Sequence, residues 1–174
     1  MNNKSILAIL LLALMVSCNQ APESPFARRV NDYALVTFNA PDLSGISDNG
    51  KEVLNLYRFA ADEVNTIYWK QYFGDKQALL DGITDPLQKT FAEINYGPWD
   101  RTSGESFVEG YGDRPAGAGF YPTDMTVEEF EAWDNPDKDS PYTLVRRAAD
   151  GSLETVWYHD EYKEYIDKIC NFLN

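Results

Sequence analysis

The chain has 174 residues, room for one domain or for part of a larger one. With 44% hydrophobic and 25% charged residues it can bury a core, which argues against general disorder. Acidic side chains outnumber basic ones by 28 to 15, for a net charge of −13; this argues against nucleic acid, whose phosphates are bound by Lys and Arg displacing counterions, and against docking on anionic lipid through basic residues.

The first predicted element is a signal. Lys4 supplies a positive start, and Ile6 to Val16 is an apolar run of 11 residues. That is too short for a bilayer, which needs about 20 residues, but it suits a secretory segment. The run ends in Leu14-M-V-S-Cys18, which resembles a bacterial lipoprotein box, with Met15 standing where Leu or Val is usual. The resemblance implies that residues 1–18 form a lipoprotein signal peptide, that the Cys18 thiol is acylated, and that the chain is exported and membrane-anchored in the bacterial cell envelope. Cys170 is then the one free thiol, with no disulfide available, and is expected to pack as a small hydrophobe on a helix face. Residues 19–28 read as a tether, leaving 29–174 for the folded portion.

Asp32-Y-A-L-V-T-Phe38 is rich in strand formers and predicts a short strand, followed by a turn over Ala40–Gly45. From about Ser47 the period changes. Val53, Tyr57, Ala60, Val64, Ile67 and Tyr68 recur mostly at three- and four-residue steps, predicting a long amphipathic helix that stops before Gly74. Asp75–Leu80 adds a helical turn or two. Thr84–Asn95 predicts another helix, with Pro86 in its first turn and Asp85 or Thr84 as cap.

Gly97 to Met125 holds six of the chain's 11 glycines and predicts irregular structure. Thr126-V-E-Glu129 is a capping-box pattern for a short helix ending near Trp133. Asp150-G-Ser152 lies between two β-prone runs, 143–149 and 153–158, and predicts a hairpin, because the tight turn demands a positive φ. Asp160–Asn174 places Tyr162, Tyr165, Ile166, Ile169 and Leu173 on one helical face, a pattern still running at the last residue. The fold class is α+β, mostly helical with a small antiparallel sheet.

Several chemistries fail on spacing. Gly112-D-R-P-A-Gly117 has the glycine separation of a phosphate loop, but Ala118 and Gly119 stand where Lys and Ser/Thr must be. His159 is the one imidazole, no Ser lies in a nucleophile-elbow motif, and one His with one free Cys cannot assemble a His/Cys zinc site. His159 reads as a partly exposed boundary residue. Asn135, Asp137 and Asp139 open like a calcium loop, but Ser140 replaces its Gly and Arg146 its bidentate Glu. The acids allow carboxylate-pair chemistry, yet no spacing singles out a pair.

Aromatics remain. Trp99, Tyr111, Phe120 and Tyr121, with Asp100 and Arg101, lie in one glycine-rich loop and are the candidate ligand contacts for a glycan or peptide. The same loop also reads as packed core. Arg101 and Arg114 are expected to pair locally with carboxylates.

Three stretches, Asn95-Y-G-P-W-D-Arg101, Pro115-A-G-A-G-F-Y-P-T-D-M-T-V-E-E-Phe130 and the hairpin with Trp157-Y-H-Asp160, resemble the N-terminal part of bacterial exported relatives of dipeptidyl peptidase III. The resemblance covers nearly all of the chain after the signal. It implies a two-lobed zinc metallopeptidase that removes dipeptides from the N-termini of short peptides. Its zinc comes from a helix carrying His-Glu and a second His, with a further Glu downstream. This sequence has no His-Glu pair and no second His. The resemblance therefore implies that these residues are a non-catalytic leading portion of a larger two-lobed protein. No cofactor would lie in this chain, zinc would belong to the full-length enzyme, and the absent C-terminal part would be its partner. The glycine loop would be scaffold threaded between helices. The alternative is a self-contained lipoprotein that binds a glycan or peptide through the Trp99–Tyr121 loop.

Overall fold

The computed structural model describes residues 23–33 and 39–174, so Cys18, its signal and residues 34–38 of the expected strand lie outside the described residues. Among the described residues there are seven helices and one two-stranded antiparallel sheet, the helix-dominated α+β class that the sequence implies.

The chain packs earlier than the expected tether allows. Helix α1, Phe26–Asn31, is too short to leave a periodic signal, and tertiary contacts hold it. The Ser24 hydroxyl donates to the Asp85 carboxylate and accepts from the Phe26 amide at 3.1 Å. The Phe26 ring lies 5.8 Å from the rings of both Phe91 and Phe107. Arg29 sits 4.4 Å over Phe91 and pairs with Asp100 at 2.7 Å. Asp32 and Tyr33, where the strand was expected to begin, instead form the turn that ends this helix.

Helix α2 runs Asp48–Tyr72 and starts where Ser47 accepts from the Gly50 amide at 3.2 Å. It stops at Gly74, whose φ of +133° no other residue adopts without strain. The apolar stripe expected on α2 is only partly covered. Ala60 and Trp69 are buried, whereas Val53, Leu54, Tyr57 and Val64 are exposed. For Val53, Leu54 and Tyr57 the reason lies in the partner helix, α7, Lys163–Leu173, which runs antiparallel to α2. Phe59 meets Phe172 at 5.6 Å, Glu63 meets Lys168 at 3.7 Å, and Lys70 lies 5.5 Å over Tyr165. Residues 48–58 extend past the end of α7, about 16 Å of helix at 1.5 Å per residue.

Two short helices close the core beneath α2. Helix α3, Lys76–Gly82, is capped by Asp75 on the Ala78 amide at 3.0 Å. Helix α4, Pro86–Asn95, is capped by Asp85 on the Leu87 amide at 2.8 Å, with Pro86 at its first position as expected. Trp69, Leu79, Ile83 and Ala92 form the buried cluster, with Phe73, Leu80, Tyr96, Phe107 and Val108 packed against it. Tyr96 ends α4 at φ +57°, in the left-handed region that costs most residues roughly 1–2 kcal/mol. Its ring holds it there, 4.6 Å from Tyr68 and 5.1 Å from Trp69, with its hydroxyl on Asn65 at 2.9 Å.

Helix α5, Val127–Ala132, is capped by Thr126 accepting from the Glu129 amide at 3.1 Å. The Glu129 carboxylate is held by Arg147 at 2.8 and 2.9 Å. The calcium-like stretch serves the end of this helix, where Lys138 donates to the carbonyls of Phe130 and Trp133, each at 2.8 Å. Strands β1, Thr143–Arg147, and β2, Leu153–Trp157, pair with Arg147 opposite Leu153, and Gly151 turns the hairpin at φ +86°.

The last expected helix is broken. A single turn, α6, covers Tyr158–Glu161, and α7 begins after Tyr162, whose φ of −106° and ψ of 21° interrupt the helix. Tyr162 is buried, and driving its ring inward resets the helical phase. Tyr165, Lys168 and Phe172 consequently face α2, while Leu173 is 49% exposed. Cys170 is exposed too, contrary to the expectation that it packs.

Candidate functional site

The glycine-rich loop wraps the C-terminal end of α2. Its first limb leaves α4 through Gly97 and folds back on itself. The Asp100 amide donates to Glu105 O at 2.9 Å, and the Phe107 amide to Pro98 O at 2.9 Å. Its second limb crosses the last turn of α2, where the Gly119 amide donates to Gln71 O at 2.9 Å. It then reaches the sheet: Phe120 O accepts from the Val145 amide at 2.8 Å and Gly119 O from Arg146 at 3.0 Å. The loop thus ties α2 to β1.

The candidate contact residues separate into two groups. Trp99 is 7% exposed, its ring 5.7 Å from Phe73 and its indole N–H donating to Gly112 O at 2.8 Å. Asp100 accepts from Arg29, from the Thr102 amide at 2.8 Å and from the Ser103 amide at 3.4 Å. Partial burial works against its charge, but the Arg29 guanidinium and these two amides outweigh that and hold its carboxyl below the usual range. Tyr111 lies edge-on to Phe73 at 5.7 Å, with part of its ring exposed. Phe120 and Tyr121 belong to the other side. Phe120 faces Tyr158 at 6.5 Å, and Tyr121 packs edge-on to Phe130 at 5.6 Å over a hollow of about 280 Å³. No single aromatic platform forms, because the core takes Trp99 and the hairpin side takes Phe120 and Tyr121.

Arg101 and Arg114 contradict the expected pairing: among the described residues neither reaches a carboxylate within 4.0 Å. Both stack on tyrosine instead. Arg101 lies 4.9 Å over Tyr72, 5.5 Å over Tyr96 and 5.8 Å over Tyr68, and it donates to the Tyr68 hydroxyl. Arg114 lies 4.3 Å over Tyr72. Burial opposes the Arg101 charge, but the Tyr72 and Tyr68 hydroxyls beside it more than offset this and raise its pKa. The main chain fixes Arg101 in place, its amide donating to the buried Asn95 side chain at 2.9 Å.

A cleft of about 800 Å³ opens on the opposite flank of α2, lined by Trp69, Lys70, Lys76, Arg146, Tyr162 and Tyr165 among others. Lys76 pairs with Glu93 at 2.9 Å and covers Trp69 at 5.3 Å, and Arg146 pairs with Glu161 at 3.2 Å. Burial pushes the Tyr162 hydroxyl up to about 12. The cleft has the size of a ligand site. Sequence reading missed it because its walls come from five elements spread over residues 65–165, with no local motif to join them.

Among the described residues no group of three His, Cys, Asp or Glu side chains could hold a metal ion. His159 is 68% exposed, stacked 6.0 Å from Trp157 and 3.6 Å from Asp160. The zinc that the resemblance implies does not fit these residues.

The chain is similar to two solved structures. One is dipeptidyl peptidase III from Caldithrix abyssi, with a TM-score of 0.72 and 30% identity over 83% of this chain and 30% of that one. The other is dipeptidyl-peptidase III from Corallococcus sp. strain EGB, with a TM-score of 0.74 and 27% identity over 88% of this chain and 31% of that one. This chain therefore spans about 30% of the length of the structures it matches, and its described part has a dipeptidyl peptidase III-like fold. No family model and no curated protein matches it.

Proposed function

We propose that this chain is the N-terminal, non-catalytic portion of an exported, zinc-dependent dipeptidyl peptidase. The complete enzyme would release N-terminal dipeptides from short peptides, with its metal ligands and general base on polypeptide beyond these residues. Cys18 would carry the lipid that anchors the assembly in the cell envelope.

The observation that carries this reading is the match itself: most of this chain aligns with less than a third of two dipeptidyl peptidase III chains. The exposed apolar residues of α2 support it, because Val53, Leu54, Tyr57 and Val64 on one helix suit an interior surface of a larger body. The lone, outward-facing imidazole of His159 supports the placement of the metal elsewhere.

The test reads the DNA beyond codon 174. A frame that continues into a helix bearing His-Glu and a second His supports the proposal. An authentic stop followed by unrelated sequence overturns it.

A further inference from the structure

We propose that Arg101 and Arg114, both stacked on Tyr72, form a binding site for a monoanionic carboxylate at the C-terminal end of α2. The inference does not depend on the peptidase reading. It starts from a charge imbalance: the chain holds 28 acidic against 15 basic side chains, so an arginine without a carboxylate is unexpected. Arg29, Arg58, Arg146 and Arg147 each reach one, at 3.2 Å or closer. Among the described residues Arg28, Arg101 and Arg114 do not; Arg28 lies over no ring there, whereas Arg101 and Arg114, with Asp113 adjacent in sequence, sit 4.9 and 4.3 Å from the centre of the Tyr72 ring.

Stacking occupies the face of a guanidinium and leaves its N–H edge free. Arg101 spends one donor on the Tyr68 hydroxyl, and Arg114 makes no hydrogen bond among the described residues. The remaining edges are forks of the kind that match a carboxylate with two parallel N–H···O bonds. The tyrosines fix those forks in advance, so little rotamer freedom remains to be lost on binding. Tyr72 itself is held with its hydroxyl shut off from solvent.

Charge selects the ligand class. The last turn of α2 carries a partial negative charge of about half a unit. A dianionic phosphate brought to this end is repelled more than a single carboxylate. The carboxylate can come from a Glu or Asp side chain on a polypeptide laid across the end of α2, or from a free small acid.

The test titrates the full chain, in a mild non-ionic detergent, by calorimetry with four probes. These are an N-acetylated, C-amidated diglutamyl peptide, its diglutaminyl counterpart, sodium acetate and inorganic phosphate. The expected result is binding of the glutamyl peptide, at least tenfold weaker binding of the glutaminyl one, and affinity that falls as salt rises. Arg101→Gln and Arg114→Gln should each weaken the glutamyl peptide at least tenfold, with Arg114→Lys in between and the exposed Arg28→Gln unchanged. Acetate competing at equal concentration assigns the site to free acids, and peptide far above acetate assigns it to polypeptide side chains. Equal binding of the two peptides, or phosphate binding more tightly than either carboxylate, overturns the proposal. Arg114→Gln carries the test should Arg101→Gln fail to fold, since the Arg114 side chain is exposed.

Discussion

The main-chain amide of Gly119 donates to the carbonyl of Gln71 at 2.9 Å, and a side chain at position 119 would place its Cβ 2.6 Å from that same oxygen. One contact thus fixes both the course of the glycine-rich loop and the identity of the residue. The loop is a strap from α2 to the hairpin. Gly119 answers to backbone approach and not to phosphate.

Replacing Gly119 by Ala should therefore destabilise the chain by about 1–3 kcal/mol, the range for forced overpacking. Gly112, in the same loop, is the control, because a methyl group there would meet no atom within 4 Å. Gly112→Ala should stay within about 0.5 kcal/mol of the parent. Urea unfolding followed by tryptophan emission measures both.

The aromatic knot at the base of the fold makes a second forecast. Phe91 is 1% exposed and touches Phe26, Tyr33 and Phe107 while supporting Arg29. Phe91→Ala should cost about 3–5 kcal/mol through the cavity it leaves. Val53→Ser, on the uncovered part of α2, should change stability by no more than about 0.5 kcal/mol. The same Val53→Ser change should lower binding of a hydrophobic dye, because it removes exposed apolar surface.

Tyr162 gives the chain an alkaline limit. Its hydroxyl titrates near 12 in the fold and near 10 when unfolded. Between those values the folded state keeps a proton that the unfolded state has released, so stability falls as pH rises from about 10 to about 12. Melting temperature against pH should show a steeper drop over that window for the parent chain than for Tyr162→Phe.

The lipid anchor is tested by labelling. Cells fed a radioactive fatty acid should label the parent chain, and Cys18→Ala should lose the label and leave the membrane fraction. Equal labelling of the two chains would remove the anchor from the account.

Local rules made much of the fold legible. Asp85 and Thr126 cap the helices their positions suggested, and Asp150-Gly151 turns the hairpin between the expected strands. Each of these depends on a few adjacent residues. The missed features depend on residues far apart. Helix α1 exists because Ser24 and Phe26 find Asp85, Phe91 and Phe107, some 60 to 80 positions away. The buried side of α2 was misjudged because α7 covers only its later turns, and the phase of α7 depends on the break at Tyr162. Arg101 and Arg114 looked like partners for nearby acids, yet the ring of Tyr72 claims both. The cleft beside Trp69 had no sequence signature at all, because its walls meet only after folding.

Zinc binding by the purified full chain, measured by equilibrium dialysis and followed by an assay for dipeptide release from a chromogenic substrate, tests the central claim most directly. The account predicts no stoichiometric zinc and no release. One zinc per chain together with dipeptide release would contradict it.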